Sequence, residues 1–152
     1  MKIEYLADYP EQVEKVNDWL YNYWGAYYND SSKEDWLDDL KKRLNKAEIP
    51  TTFIALQEGK FVGTASLIKH DMDNRPELSP WLADVYVPPE HRKQGIASKL
   101  VSRVVEETRI LGIERLYLFT RNAKEFYLKL GWELKENVKY HGKEVNIMYY
   151  DL

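Results

Sequence analysis

Between residues 81 and 120 the hydrophobic pattern changes period twice, and this limits the folds open to the chain. Trp81-Leu82-Ala83-Asp84-Val85-Tyr86-Val87 is almost continuously apolar and lies between Pro80 and Pro88-Pro89. A run of that length and character fits a central strand covered on both faces. From Gly95 to Leu111 the period lengthens, with Ala97, Leu100, Val101, Val104, Val105, Thr108 and Leu111 on one helical face and Gly112 as the stop. Glu114–Thr120 returns to strand, centred on Leu116-Tyr117-Leu118-Phe119. A second such unit follows: a short helix over Ala123–Leu130, Gly131, then a strand over Trp132–Tyr140. Strand–helix–strand units call for parallel pairing through right-handed crossovers. A last strand, Glu144–Asp151, is joined through His141-Gly142-Lys143.

The first half adds a strand over Lys2–Asp8 and two helices. The first helix begins at Pro10, carries Val13, Val16, Trp19, Leu20 and Tyr23, and is interrupted at Gly25. The second is capped by Ser31 or Ser32, with Glu34 and Asp35 in its first turn and Trp36, Leu37, Leu40 and Leu44 as its apolar stripe. Thr51–Leu56 and Phe61–Ile68 then form a hairpin around Gln57-Glu58-Gly59-Lys60. Residues 69–80 make a polar loop longer than the usual connection; both a functional loop and a disordered excursion fit that length. The order predicts a mixed α/β sheet with helices on both faces, in one domain over residues 1–152.

The absence of cysteine excludes disulfides, thiolate metal sites and a cysteine nucleophile. His70, His91 and His141 lack ligand spacing, so no metal is expected. No apolar run suits a signal peptide or a membrane span, and no basic block suits nucleic acid; a cytoplasmic protein is expected. Charge is uneven, with 10 Lys/Arg against 17 Asp/Glu in residues 1–90 and 12 against 8 in residues 91–152. One region therefore suits an anion and another a cation.

The strongest chemical signal is where the central strand ends. After Val85-Tyr86-Val87 comes the turn Pro88-Pro89-Glu90-His91-Arg92-Lys93-Gln94, and Gly95-Ile96-Ala97 opens the helix. The first turn of a helix has unpaired N–H groups and the positive end of the dipole. Gly95 and Ala97 keep side chains out of the way, and Arg92 and Lys93 add charge. The arrangement is an anion cradle suited to a pyrophosphate, although a plain strand–helix connection would also use a glycine here.

Arg92-Lys93-Gln94-Gly95-Ile96-Ala97 resembles the Arg/Gln-x-x-Gly-x-Gly/Ala signature of the GCN5-related N-acetyltransferases (GNAT). Ala123-x-x-x-Tyr127-x-x-Leu130-Gly131-Trp132 is similar to that family's late helix and turn. The likeness is clearest over Trp81–Leu152. It implies the three-layer α-β-α acyl-CoA N-acyltransferase fold, with about four helices and a mixed seven-stranded sheet splayed between strands 4 and 5. By this resemblance, acetyl-CoA is the cosubstrate. Val85, Tyr86 and Val87 meet the pantetheine arm or polarise the thioester carbonyl, while Arg92, Lys93, Gln94, Gly95, Ile96 and Ala97 hold the pyrophosphate. Tyr127 protonates the leaving thiolate; the alternative for it is a core aromatic beside Phe126 and Leu130. The family's asparagine seven residues earlier is Thr120 here, whose hydroxyl would serve instead.

The acceptor is expected to be a primary amine on a small molecule or on a protein or peptide. Asp84, Glu77, His70 and Asp71 are the candidates for its general base; Asp84 stands out by interrupting an apolar strand. Trp24, Tyr27 and Tyr28, with Asp71 and the acidic Asp30, Glu34, Asp35, Asp38 and Asp39, suit a cationic acceptor. Trp19, Tyr23 and Trp36 are read mainly as packing. Two other readings are open: a coenzyme-sensing domain without turnover, and transfer of another acyl group or to another acceptor. Tyr140, Val145, Ile147 and Tyr149 offer a face for a homodimer, or for an internal sheet.

Overall fold

The computed structural model describes residues 1–28 and 31–152. Among these, the strands are β1 (Lys2–Tyr5), β2 (Thr51–Gln57), β3 (Lys60–Ile68), β4 (Trp81–Tyr86), β5 (Arg115–Thr120), β6 (Glu133–Tyr140) and β7 (Lys143–Asp151). The α-helices are α1 (Val13–Trp24), α2 (Lys33–Lys41), α3 (Ile96–Ile110) and α4 (Lys124–Lys129). Leu6–Asp8, expected to extend the first strand, turns as a 3-10 helix instead and buries Leu6. Of the two serine caps considered, Ser32 is used: its Oγ accepts from Asp35 N and the Asp35 carboxylate accepts from Ser32 N, each at 3.1 Å.

The sheet order is β1-β2-β3-β4-β5-β7-β6. Only the first of the two expected crossovers gives adjacent parallel strands, β4 and β5. The β6–β7 hairpin inserts itself so that β7 pairs antiparallel with β5 from Arg115↔Asp151 to Thr120↔Asn146. Successive side chains of β2 point to opposite faces, and this sorts the layers. Phe53 packs with Leu100, Val104 and Tyr127 on the α3–α4 side, whereas Ile54 packs with Val16, Leu20 and Leu40 on the α1–α2 side. Val145 and Ile147 are buried inside the chain's own core, beside Trp81.

Gly63 fixes how closely α3 approaches the sheet. A Cβ there would lie 2.9 Å from Leu100 Cδ1 and 3.2 Å from both Ile96 Cγ2 and Tyr86 O. Gly63→Ala is expected to destabilise the fold by about 1–3 kcal/mol through overpacking, read as a lower urea midpoint at unchanged slope.

Two irregularities open the sheet. Thr64 pairs with Tyr86 but Ser66 pairs with Ala83, so β4 carries one extra residue. The bulge contains Asp84, whose φ of 57° is left-handed. A bulge sharpens the local twist and re-aims a side chain. On its other side, β4 pairs with β5 only at Trp81↔Tyr117, supported by Tyr117 N donating to Pro80 O at 3.0 Å. Beyond that point the two strands diverge.

Candidate active site

The divergence leaves a cavity of about 780 Å³, walled by Ala83–Val87 of β4 and its end, Leu118–Thr120 of β5, and α1–α2. Tyr127, Arg92 and Ala97 line it towards α3. Asp35, Asp39, Arg43, Asp71, Asp73 and Asp84 line it elsewhere, with Trp24, Tyr27, Tyr28, Tyr140 and His141 among the aromatic walls.

At the α3 end, Lys93 (φ 64°) and Gly95 (φ 78°) are both left-handed. Such turns curl successive N–H groups towards one point, making an anion-binding concavity. α3 has no side-chain cap on its N-terminus. The space a Cβ would take at Gly95 is open to 4 Å. Gln94 is exposed, Ile96 is buried under the helix, and Arg92 is exposed. Arg92 Nε donates to Val87 O at 2.8 Å. That bond fixes the arginine at the mouth and occupies the Val87 carbonyl. These features fit the diphosphate of a coenzyme.

Tyr127 is 8% exposed and stacks edge-on against Phe126 and Trp132. It is therefore both a core aromatic and a cavity residue. Its hydroxyl makes no hydrogen bond among the described residues, and burial pushes the phenol well up from its ordinary value. Thr120 Oγ accepts from Ala123 N at 3.0 Å, which ties the α4 turn and leaves the threonine O–H to donate.

Asp84 is ion-paired at the other end. Arg43 Nη1 donates to Asp84 Oδ2, and Arg43 Nη2 reaches Asp39 Oδ2 at 2.6 Å. Arg43 Nη1 also donates to Ser66 Oγ at 3.2 Å, and Ser66 lies 2.7 Å from Thr52 Oγ1. Sequence reasoning missed Arg43, because nothing in Lys41-Lys42-Arg43 sets it apart from a solvated basic patch.

The loop over residues 69–80 is anchored to the fold and is not a disordered excursion. Met72 (1% exposed) and Leu78 (6%) are buried, Trp81 Nε1 donates to Leu78 O at 2.7 Å, and Arg75 Nε reaches Glu136 Oε1 at 2.8 Å. The loop delivers Asp71 to the cavity, whereas His70 and Glu77 are exposed and outside its lining. Asp71 is partly buried in the cavity wall. Burial first, then the neighbouring Asp84, pushes its carboxyl up to about 8.

The aromatic expectations divide. Trp19 and Trp36 pack against the α1–α2 core, but Trp36 also lines the cavity, and Tyr23 is 44% exposed in the cavity wall, its ring 5.3 Å from Tyr86. Tyr27 is overlaid by Arg121 at 4.1 Å and by Lys143 at 5.5 Å, so protein cations already use its ring. Tyr28 meets His141 edge-on at 5.1 Å, and burial with the Asp71 charge pushes its phenol up to about 12. Asp30 lies outside the described residues.

A sheet opened between two parallel neighbours, with an anion cradle at one end and carboxylates among aromatic rings at the other, suits bringing an anionic carrier to a cationic acceptor. The model of the acetyltransferase (GNAT) family matches residues 13–132, and the chain belongs to that family. An aminoglycoside 6'-N-acetyltransferase complexed with coenzyme A superposes at TM-score 0.78 and 18% identity, over 99% of this chain and 97% of that one. The aminoglycoside 6'-N-acetyltransferase from Enterococcus faecium gives 0.75 and 20%, over 99% and 97%. The ribosomal-protein-alanine N-acetyltransferase from Brucella melitensis gives 0.74 and 22%, over 100% of both chains. At these identities the likeness is one of fold. No curated protein matches the sequence.

Proposed function

We propose that the protein transfers the acetyl group of acetyl-CoA to a primary amine by direct attack within a ternary complex. The observation that carries this reading is that one cavity joins the Tyr127 side chain, the Arg92 and Ala97 mouth of the anion cradle, and the carboxyls of Asp71 and Asp84. Acetyl-CoA supplies an acetyl group activated as a thioester. The backbone of Val85 and Tyr86 lies where β4 has lost its β5 partner and is free to bond the pantetheine amides. The amides of Gln94, Gly95, Ile96 and Ala97, with charge from Arg92 and Lys93, hold the diphosphate. Thr120 offers its O–H to the same ligand.

Tyr127 acts as the acid. A phenol raised by burial stays protonated throughout the working range, and its bond to sulfur strengthens as negative charge develops there. Tyr127→Phe is expected to lower kcat about a hundredfold while coenzyme affinity stays within about twofold. Stopped-assay kinetics and calorimetry check the two halves; unchanged kcat would remove Tyr127 from the chemistry.

The acceptor is an amine on a small molecule or a protein amino group, drawn by the carboxylates at the α2 end of the cavity. Solved relatives by fold are named for both kinds of acceptor. This reading takes residues 1–152 as one acetyltransferase domain working in the cytoplasm. The test is calorimetric titration with acetyl-CoA followed by thiol-release assays over a panel of amines. Saturation near one equivalent with amine-dependent thiol release supports transfer. Binding without release by any amine favours the sensing domain, and no binding at millimolar coenzyme overturns both.

A further inference from the structure

We propose that Asp71 is the group that receives the acceptor's proton, and that Arg43 is the positioning residue that selects it by fastening the competing carboxylates Asp84 and Asp39. The inference rests on the amine-acetylation reading above. Asp84, marked out in the sequence by its place in an apolar strand, is tied to a guanidinium whose side chain is 13% exposed. One of its oxygens, Oδ2, is thereby committed to Arg43. Asp71, by contrast, makes no hydrogen bond or ion pair among the described residues, yet it lines the same cavity. Met72, buried beside it, holds its backbone in place.

The charged and titratable groups around Asp71 come from every neighbouring element. Asp84 on β4 raises its affinity for a proton, Asp39 on α2 does so to a lesser degree, and Arg43 just beyond α2 lowers it. Tyr28 is close enough to feel the Asp71 charge. Asp73, Tyr140, His141 and Arg121 line the same cavity from the loop itself, β6, the β6–β7 turn and just past β5. Burial first, then Asp84 against Arg43, leaves the carboxyl raised to about 8.

The step is one proton transfer. An N–H bond of the acceptor ammonium breaks, an O–H bond forms on Asp71, and the freed electron pair stays on nitrogen as the nucleophile. The proton then leaves to water. From an ammonium of pKa about 10, transfer to an ordinary aspartate is roughly a millionfold uphill, and the raised carboxyl of Asp71 narrows that gap. The ion pair enters as ammonium and carboxylate and becomes neutral where neutral groups are favoured.

The test uses the native protein first. kcat/KM is followed against pH with two alkylamines whose pKa values differ by about one unit. The expected result is a bell for each amine: the acid limb stays near 8 for both, because Asp71 must be ionised, and the alkaline limb moves with the amine. A single rising limb that moves with the amine would mean that free base enters from solution, and would overturn the proposal. Asp71→Asn is expected to lose about a hundredfold in kcat/KM together with the limb near 8. Asp84→Asn is expected to move that limb to lower pH in whatever turnover remains, since the charge that raises Asp71 is gone. Loss of turnover in Asp84→Asn with a folded protein, alongside a retained limb in Asp71→Asn, would assign the role to Asp84 instead. If the native protein acetylates no amine, the underlying reading fails and this one falls with it.

Discussion

Gly95→Glu is expected to weaken acetyl-CoA binding about a thousandfold in calorimetric titration, with the fold retained. Gly95 sits at φ 78°, on an exposed turn with open space where its Cβ would be. A side chain therefore has room, and the change acts through two other effects. The left-handed backbone costs an ordinary residue about 1–2 kcal/mol, which tends to flatten the turn that converges the N–H groups. The carboxylate also places a negative charge where the diphosphate is to bind; at about 4 Å and an effective dielectric near 20, one such pair costs about 4 kcal/mol. Gly95→Asn separates the two, because asparagine tolerates this conformation and brings no charge. It is expected to bind coenzyme within about tenfold of the native protein. Equal, tight binding by Gly95→Glu would show that the diphosphate does not lie on this turn.

The second large effect is on stability. Arg43→Met is expected to cost about 3–5 kcal/mol in denaturant unfolding, a large share of the 5–15 kcal/mol typical of a domain. The arginine is the only partner that the described residues give Asp84, whose side chain is 23% exposed and whose backbone is left-handed. Removing it strands a charge on strained backbone. The Asp39 arm contributes little, since that carboxylate is 61% exposed and water takes over as its partner. The double variant Arg43→Met with Asp84→Asn should recover more than half the loss, because the stranded charge goes too. A loss under about 1 kcal/mol for Arg43→Met alone would show that the pair is already screened by solvent in the cavity.

Much of the scaffold was legible because its signals are local. The apolar run at Trp81, the helical face from Ala97 to Leu111 and the stop at Gly112 each depend on neighbours in sequence, and β4, α3 and β5 lie where these place them. The glycine turn over Arg92–Ala97 and the aromatic at Tyr127 could be picked out for the same reason, as short motifs at element ends, and Arg92, Ala97 and Tyr127 line the cavity. What escaped is non-local. No residue in 132–151 states that β7 will lie between β5 and β6; that is decided by Phe119↔Ile147 and its neighbours, pairing across the chain. Asp84 is conspicuous as a charge in an apolar strand, but its bulge is visible only through its pairing with β3. Arg43 becomes meaningful only once Asp84 lies against it. In the long loop, residue chemistry alone made His70 and Glu77 equal to Asp71; the buried Met72 and Leu78 carry the orientation, and they are the signal that apolar residues in a polar loop offer.

The gap between β4 and β5 also bears on thermodynamics. A sheet that stops pairing in its own middle has surrendered ladder bonds that a ligand bonding along that edge would restore, so the ligand acts as a removable strand. Any molecule that binds only the folded chain adds RT ln(1 + [L]/Kd) to its stability, about 2.7 kcal/mol at a hundredfold excess over Kd. Resistance to heat and proteolysis would then track the concentration of coenzyme around the protein, making its lifetime a readout of the acyl-donor supply.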